Sequence, residues 1–490
     1  TKFCQGEVLF KYERHDAKKT LLYNIIEQYY PVLISRLAEE GRELPSYVRT
    51  EFEDYLKCGL LEYGFLRVRC EDCHHERMVA FSCKHRGFCP SCCAKRMTES
   101  SALLVDNILP HQPMRQWVLS FPFPLRLLLA RKPDVMGKVL GIVYRTIAMY
   151  LIKKAGYKKN MARTGAVTFI QRFGSALNLN IHFHMLFLDG VYVDAKGENG
   201  NQRFVPVFNH RSGEIVKLSH QMSLRIARYL ERAGLIESDA ENSYLAEGSL
   251  SENEMNEHQG YSVHYRIAIG HQKGKKVFAL QSLPAMLEEG EGEELLGKMA
   301  GFSLHAGVSA KAGDRDKLER LCRYVARPAV SMQRLSLTEQ GHIRYELKTP
   351  YRNGTTHMIF EPLDFISKLA SLIPAPRVNL TRFHGVFAPN SQHRAGIINR
   401  ETNHKLPADV DQTESEKHGA KNWAMRLKRA FNIDIKTCEG CGGAVKVIAC
   451  VDNPIAIDKI LTHLHIHKSP QMIPSCRAPP AVPQVSTLLE

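Results

Sequence analysis

The chain has 490 residues, enough for two to four domains, and its hydrophobic share of 44% supplies ordinary cores. Lys and Arg outnumber Asp and Glu by 66 to 51, a formal charge of +15 that favours a polyanionic partner, nucleic acid before an anionic membrane surface. No stretch of 18 apolar residues marks a membrane span and no secretory pattern opens the chain, so no membrane role is expected and the 13 cysteines read as reduced, cytoplasmic thiols open to metal.

Apolar spacing predicts a helix from Tyr12 to about Glu40, carried by Leu21, Leu22, Ile25, Ile26, Tyr29 and Leu33, and a shorter one over Ser46–Leu56. The cysteine cluster follows. Cys70 and Cys73 form one CxxC, Cys89 and Cys92 another, and fifteen residues separate them. Each CxxC aims two sulfurs at one ion, and this spacing predicts a four-thiolate Zn2+ ribbon from these four residues. Cys58, Cys83 and Cys93 are surplus: buried free thiols in the simpler reading, or a replacement ligand or a second ion's ligands in the other. Lys84, His85, Arg86, Lys95 and Arg96 make the module basic, as a DNA-gripping element would be.

A strand is predicted over Gln116–Phe121, a helix over Pro133–Ala155, and a strand over Ala166–Phe173, turned by Gly174. The next stretch alternates: Asn178, Asn180, His182 and His184 share one parity, and Leu179, Ile181, Phe183 and Met185 the other. Period-two alternation marks a strand with one polar and one buried face, and it aims both histidines the same way, close enough to share a divalent ion. The alternative is a pair of surface histidines on an edge strand. This order of elements predicts an α+β unit on an antiparallel sheet.

Between about 196 and 300 the expected elements are strands at Phe204–Phe208, Tyr261–Ile269 and Lys276–Leu280 and a helix over Leu218–Ala233, separated by solvated acidic stretches at Glu237–Glu257 and Glu288–Glu294. Phe302–Val308 is a strand. Asp314–Arg327 is a helix with Leu318, Leu321, Cys322 and Val325 on one stripe, Arg320, Arg323 and Arg327 elsewhere, Tyr324 between them, and Pro328 at its end. Such a tyrosine is either plain packing or a nucleophile whose phosphate target is held by guanidiniums. Strands at His342–Leu347 and Thr356–Phe360 and a helix at Pro362–Leu372 come next, then a basic, aromatic stretch with Arg382, Phe383 and His384. A polar linker over Glu401–His418, a helix over Trp423–Phe431, a last knuckle at Cys438 and Cys441 and a Pro-rich tail beyond Ser469 complete the chain. That knuckle is a possible second zinc site, with Cys450, His463, His465 and His467 within reach in sequence.

A metal held by two neutral imidazoles beside a tyrosine, in a basic protein, can polarise a DNA phosphate for attack by the phenol, leaving a 3′ hydroxyl and a 5′-phosphotyrosine. At this point His182-Phe183-His184 resembles the core of the HUH single-strand endonucleases. The blocks RCEDCHHERMVAFSCKHRGFCPSC, TFIQRFGSALNLNIHFHMLFLDG, LERLCRYVARPAVSMQRLSL, VNLTRFHGVFAPN and IDIKTCEGCGG resemble, in order, the rolling-circle transposases of the insertion-sequence common-region type within that superfamily. The resemblance implies a central antiparallel HUH/RRM-like sheet flanked by helices. It implies His182 and His184 as ligands of a catalytic Mg2+ or Mn2+ and Tyr324 as nucleophile. A third ligand from a neighbouring strand falls on Gln171, with His305 and Asn180 as rivals. Arg320 and Pro328 stand one turn either side of Tyr324, so the pattern is single-tyrosine, and Tyr144, Tyr150, Tyr345 and Tyr351 are read as structural. Arg323 and Arg327 are the candidates for the scissile phosphate, and Arg382 is a further DNA contact.

The expected organisation is a helical segment over 1–57, a zinc-ribbon DNA-binding module over 58–109, and the endonuclease domain over 110–375 with its insertion at about 196–300. A basic DNA-contacting extension and linker over 376–432 and a zinc-knuckle region with a disordered tail over 433–490 follow. The implied partner is single-stranded DNA at hairpin-bearing insertion-sequence ends, with host replication or helicase proteins, in the nucleoid of a bacterial cytoplasm. The rival readings are a rolling-circle replication initiator, a zinc-dependent DNA-binding protein without catalysis, and a barrel-type metalloenzyme.

Overall fold

In the computed structural model, which describes residues 17–194, 202–238, 243–246, 255–283, 295–402, 438 and 440–464, six antiparallel strands form the sheet that positions the candidate site. Their spatial order is Leu296–Met299, Phe302–Ala310, Met114–Ser120, Leu179–Leu188, Gly165–Phe173 and Thr381–Gly385. The histidine-bearing strand Leu179–Leu188 is therefore interior, paired on both sides.

Its alternation sorts side chains to two faces, and both are buried. Ile181, Phe183, Met185 and Phe187 join Trp117 and Leu119 in a core closed by the helices Phe123–Arg131, Pro133–Lys154 and Ser212–Arg232. Leu186 and Leu188, on the histidine parity, join Leu104, Val105, Leu318, Cys322 and Val325 from the helices Pro90–Asn107 and Arg315–Val325. The expected polar face is thus roofed by a second helical layer, leaving His182 and His184 only 9% and 6% exposed. Pro133–Lys154 is the one described helix long and apolar enough to cross a membrane; here its Val139, Val143, Ile147 and Leu151 stripe packs on the sheet.

A second antiparallel sheet orders Phe278–Gln281, Thr355–Phe360, Ile343–Glu346 and Leu335–Leu337. It shares a core with the helices Leu21–Glu39, Ser46–Lys57 and Pro362–Leu372, so the N-terminal helices pack into the body of the protein. Most predicted elements form within a few residues of their expected bounds. The strand expected over Tyr261–Ile269 does not: Asn256–Val263 is a helix, and Arg266 makes only an isolated bridge to Lys276. Tertiary partners override the local β preference, because His258 Nδ1 lies 2.8 Å from Ser367 Oγ and Ser371 Oγ donates to Ser262 Oγ at 2.9 Å. The helices Pro90–Asn107 and Phe123–Arg131 were not expected, and the basic stretch around Arg382 is the sheet's edge strand. The linker from 403, the helix expected over 423–431, His465, His467 and the tail, with most of the two acidic stretches, lie outside the described residues.

Phe183 is fully buried and meets Phe121 edge-on at 4.9 Å between centroids. Phe183→Ala is expected to destabilise the protein by about 3–5 kcal/mol, read as a lowered urea midpoint; a shift within experimental error would mean that this face is not tightly packed.

Candidate active site and cysteine clusters

Strand register brings the sequence-predicted metal ligands together. Gln171 is paired directly with His182, and the His182 and His184 ring centroids are 4.8 Å apart. His182 Nδ1–H donates to the carbonyl of Asn180 at 2.9 Å, and the Gln116 amide bonds His184 Nδ1 at 2.8 Å. His182 therefore presents the lone pair of Nε2, and His184 presents the same lone pair when the Gln116 amide turns its oxygen to Nδ1–H. Burial drives the His182 pKa down to about 4, against the Asn180 bond and helped by the Arg327 and Arg126 charges. Burial, then His182 and Arg327, lowers His184 to about 2. At neutral pH both are neutral imidazoles, the form that ligates metal, with outer partners that orient them.

The Gln171 amide nitrogen donates to Val325 O at 3.2 Å, while its buried Oε1 has no hydrogen-bond partner among the described residues. That orphaned oxygen beside two free imidazole edges fits a cation ligand. The Asn180 side-chain oxygen is likewise buried and unpartnered. His305 shares a row with His184 but has Val118 between them, two strand spacings or about 10 Å away.

The Gln171–Val325 bond also ties the histidines to the helix Arg315–Val325. Asp314 caps this helix, accepting from Lys317 N at 3.1 Å, and Arg315 anchors it to the carbonyls of Leu109 and Pro110 at 3.0 and 3.1 Å. Leu318, Cys322 and Val325 are buried as expected; the fourth buried position is Glu319, which ion-pairs with Arg323. Tyr324 is 40% exposed, and its ring centroid is 6.3 Å from that of His184, nearly edge-on. The Arg327 guanidinium and the Lys348 ammonium lie 4.5 and 4.2 Å from its ring centre.

Partial burial would raise the Tyr324 phenol, but the Arg327 and Lys348 charges and hydrogen bonds outweigh it, and the pKa falls below its ordinary 10. Tyr144 shows the contrast: buried and donating to Thr164 O at 3.2 Å, it is pushed up to about 12. Tyr150, Tyr345 and Tyr351 also have their hydroxyls engaged inside the protein.

Tyr324 opens on a groove of about 510 Å³ lined by Phe173, Arg320, Arg323, Arg327, Arg334 and Lys348. Of the arginines predicted at the site, Arg327 stands nearest the phenol, and its buried Nη1 has no partner among the described residues. Arg323 lines the groove but is engaged by Glu319. Arg382 is not brought to the groove: it pairs with Thr168, which pairs with Met185, so its side chain belongs to the face opposite the histidines. Lys348, Arg334 and Gln116 escaped the sequence reading. Gln116 shares strand parity with Val118, the direct partner of His184, and alternation could have found it; no local signal joins Lys348 to Tyr324.

The predicted zinc ribbon is corrected. Cys70, Cys73, Cys89 and Cys92 do not converge; each CxxC closes on different partners. Cys89 and Cys92, at the start of helix Pro90–Asn107, meet Cys58 and Cys83, with Sγ–Sγ distances of 3.8 Å (Cys58–Cys89), 3.7 Å (Cys58–Cys92) and 3.4 Å (Cys83–Cys92). Cys70 and Cys73 meet Cys441 and Cys438 at 3.4 and 3.5 Å. A tetrahedral zinc tetrathiolate has sulfur–sulfur edges of about 3.8 Å, from its Zn–S bond of about 2.3 Å, so both clusters suit structural Zn2+. The strand Phe65–Cys70 separates the knuckles because it runs as the middle strand between Glu76–Ala80 and Val445–Val451. Two cysteines taken as surplus, Cys58 and Cys83, are thus cluster members, and Cys450 is exposed and outside both.

A family model described as "Transposase zinc-binding domain" matches residues 25–121, and one described as "Putative transposase" matches residues 165–395. The second spans Gln171, His182, His184, Tyr324 and Lys348. No curated protein and no solved structure matches the chain.

Tyrosine ring-carbon NMR, with Tyr324→Phe assigning the signal, is expected to show Tyr324 ionising below free tyrosine and well before Tyr144. Arg327→Met should move that titration upward. A Tyr324 titrating with or after Tyr144 would contradict the electrostatic arrangement.

Proposed function

The chain belongs to the IS91-type transposases, and on that premise we propose that it nicks and rejoins single-stranded DNA at insertion-sequence ends through a 5′-phosphotyrosine on Tyr324, as in rolling-circle transposition. The observation that carries this reading is the convergence of the Tyr324 ring, 6.3 Å from His184, with the His182–His184–Gln171 constellation and an arginine–lysine groove. The sheet order, with paired histidines on an interior strand and the tyrosine helix over the same face, supports an HUH-type endonuclease domain.

The groove's cations hold the DNA phosphates, and Arg327, with an unpartnered buried N–H, reaches for a non-bridging oxygen of the scissile one. The same guanidinium and Lys348 favour the phenolate of Tyr324, so the attacking oxygen gives up its proton to solvent at modest cost. That oxygen attacks phosphorus in line; the tyrosyl O–P bond forms as the P–O3′ bond breaks, and the departing 3′ oxygen takes up a proton to become a hydroxyl. One phosphodiester replaces another, so a 3′ hydroxyl can reverse the step or rejoin a different end without a nucleotide cofactor. His182, His184 and Gln171 would hold Mg2+ or Mn2+, which when bound withdraws charge from a phosphate oxygen. Gln116 and the Asn180 carbonyl keep the two rings oriented. The helix has one tyrosine, so a second strand transfer reuses Tyr324 or draws on another protomer. In this reading the substrate ends bear hairpins, host replication or helicase proteins supply unwound DNA, and the reaction takes place in the cytoplasm.

With labelled single-stranded DNA carrying the element ends and Mn2+ or Mg2+, wild type should give a denaturation-resistant protein–DNA adduct. Tyr324→Phe should give none while still binding DNA; normal adduct from this variant, or cleavage by wild type without linkage, would overturn the mechanism. His184→Ala and Arg327→Ala are expected to slow adduct formation by on the order of 10²–10³-fold with binding retained; undiminished rates would remove those residues from the site. Arg320→Ala should instead weaken binding uniformly across sequences and flatten its log–log salt dependence by about 0.7. An unchanged slope would mean that Arg320 meets no phosphate.

A further inference from the structure

The two cysteine clusters differ in how they are assembled. Cys58, Cys83, Cys89 and Cys92 all fall within the segment matched by the zinc-binding family model. The other cluster joins Cys70 and Cys73 to Cys438 and Cys441, which lie outside both matched segments and up to 371 residues away in sequence.

The distant knuckle is shaped to the near one. Gly442 N donates to Cys438 O at 2.8 Å, with Gly442 at φ +77°, and Gly443 N donates to Cys441 Sγ at 3.4 Å. A Cβ on Gly443 would fall 2.2 Å from Asp72 Oδ2 and 3.0 Å from Cys70 Sγ, so a larger residue there would have to push the Asp72 carboxylate aside and crowd the near knuckle. Beyond it, Glu71 N donates to Ala444 O at 2.8 Å, and Val445–Val451 pairs along Phe65–Cys70. The helix Pro454–His463 then packs Ile457 and Leu461 on Leu61 and Phe65. That four-residue core is too small to hold a strand and a helix in place alone, and such small units are ordinarily stapled by metal or disulfide.

We propose that Cys70, Cys73, Cys438 and Cys441 bind one Zn2+ that clasps the C-terminal strand and helix onto the N-terminal ribbon, and that this ion exchanges more readily than a second Zn2+ held by Cys58, Cys83, Cys89 and Cys92. Four sulfurs with at most weak S–H donors gain little from one another, whereas four thiolates around a dication satisfy every sulfur. The difference in lability follows from access. Cys73 and Cys441 are exposed, whereas three sulfurs of the other cluster are buried and the fourth is half-buried. Closing the clasp also completes a groove of about 410 Å³ lined from two distant segments, Arg67, its ion-pair partner Glu76 and Arg77 on one side and Lys459 and His463 on the other.

The test needs no catalytic activity and does not depend on the proposed nicking mechanism. Full-length protein purified with zinc should carry two ions per chain by native mass spectrometry, and Cys73→Ser and Cys441→Ser should each carry one. Wild-type protein given increasing chelator, pulsed with an alkylating reagent and mapped by mass spectrometry should label Cys70, Cys73, Cys438 and Cys441 as one group. Cys58, Cys83, Cys89 and Cys92 should stay protected until a second, harsher stage, and exposed Cys450 should react throughout. Two ions retained in Cys441→Ser would overturn the clasp. So would labelling of Cys70 and Cys73 together with Cys89 and Cys92 while Cys438 and Cys441 react from the start, the pattern of a contiguous ribbon. Simultaneous loss of both clusters would overturn the difference in lability.

Discussion

The pairing of Leu179–Leu188 between Met114–Ser120 and Gly165–Phe173 is the constraint on which the rest depends. A one-residue slip would exchange its two faces, sending Phe183 toward the histidine layer and His182 into the aromatic core. Phe183 against Phe121 on one side, and Leu186 and Leu188 under the roofing helices on the other, forbid that slip. The same register sets Gln171 beside His182 and Gln116 within reach of His184, so the packing that holds the sheet also orients the candidate ligands.

Burial and charge then act together on the histidines and against each other on a tyrosine a few ångströms away. The histidines are sealed beneath a helical layer beside Arg327, and for His182 the lowered pKa corresponds to about 3 kcal/mol against its protonation. Tyr324 sits at the edge of that layer, half in solvent, where Arg327 and Lys348 overcome burial and favour the anion. The Arg327 guanidinium thus adds to the burial that keeps two imidazoles neutral and, with Lys348, makes one phenol more acidic. This division follows from depth: a group left partly in water loses less to desolvation, so the nearby charges decide its protonation.

The ribbon carries a different constraint. Its middle strand ends at Cys70, and its outer strand comes from the far end of the chain, so its sheet cannot be complete until residues 438–451 are present. The helix Pro90–Asn107, which starts directly after Cys89, is at the same time part of the roof over the histidine face, through Leu104 and Val105. One cysteine cluster therefore abuts the layer that buries the candidate site, and the other joins the chain's two ends.

Local pattern in the sequence determined much of this protein. The alternation through His182 and His184, the amphipathic helix bearing Tyr324, the adjacent strand bearing Gln171 and the thiolate pairs at each CxxC all arise from neighbouring residues and are legible in them. Tertiary structure alone decided which knuckle meets which, because two CxxC pairs fifteen residues apart and a third beyond residue 437 satisfy the same spacing rule. It also decided that the histidine face would be roofed, that Arg382 would face away, that 256–263 would be helical, and that Lys348 would stand over Tyr324. These outcomes depend on contacts between distant segments: periodicity specifies which side of an element is buried, while the partner that buries it is chosen by sheet order and packing.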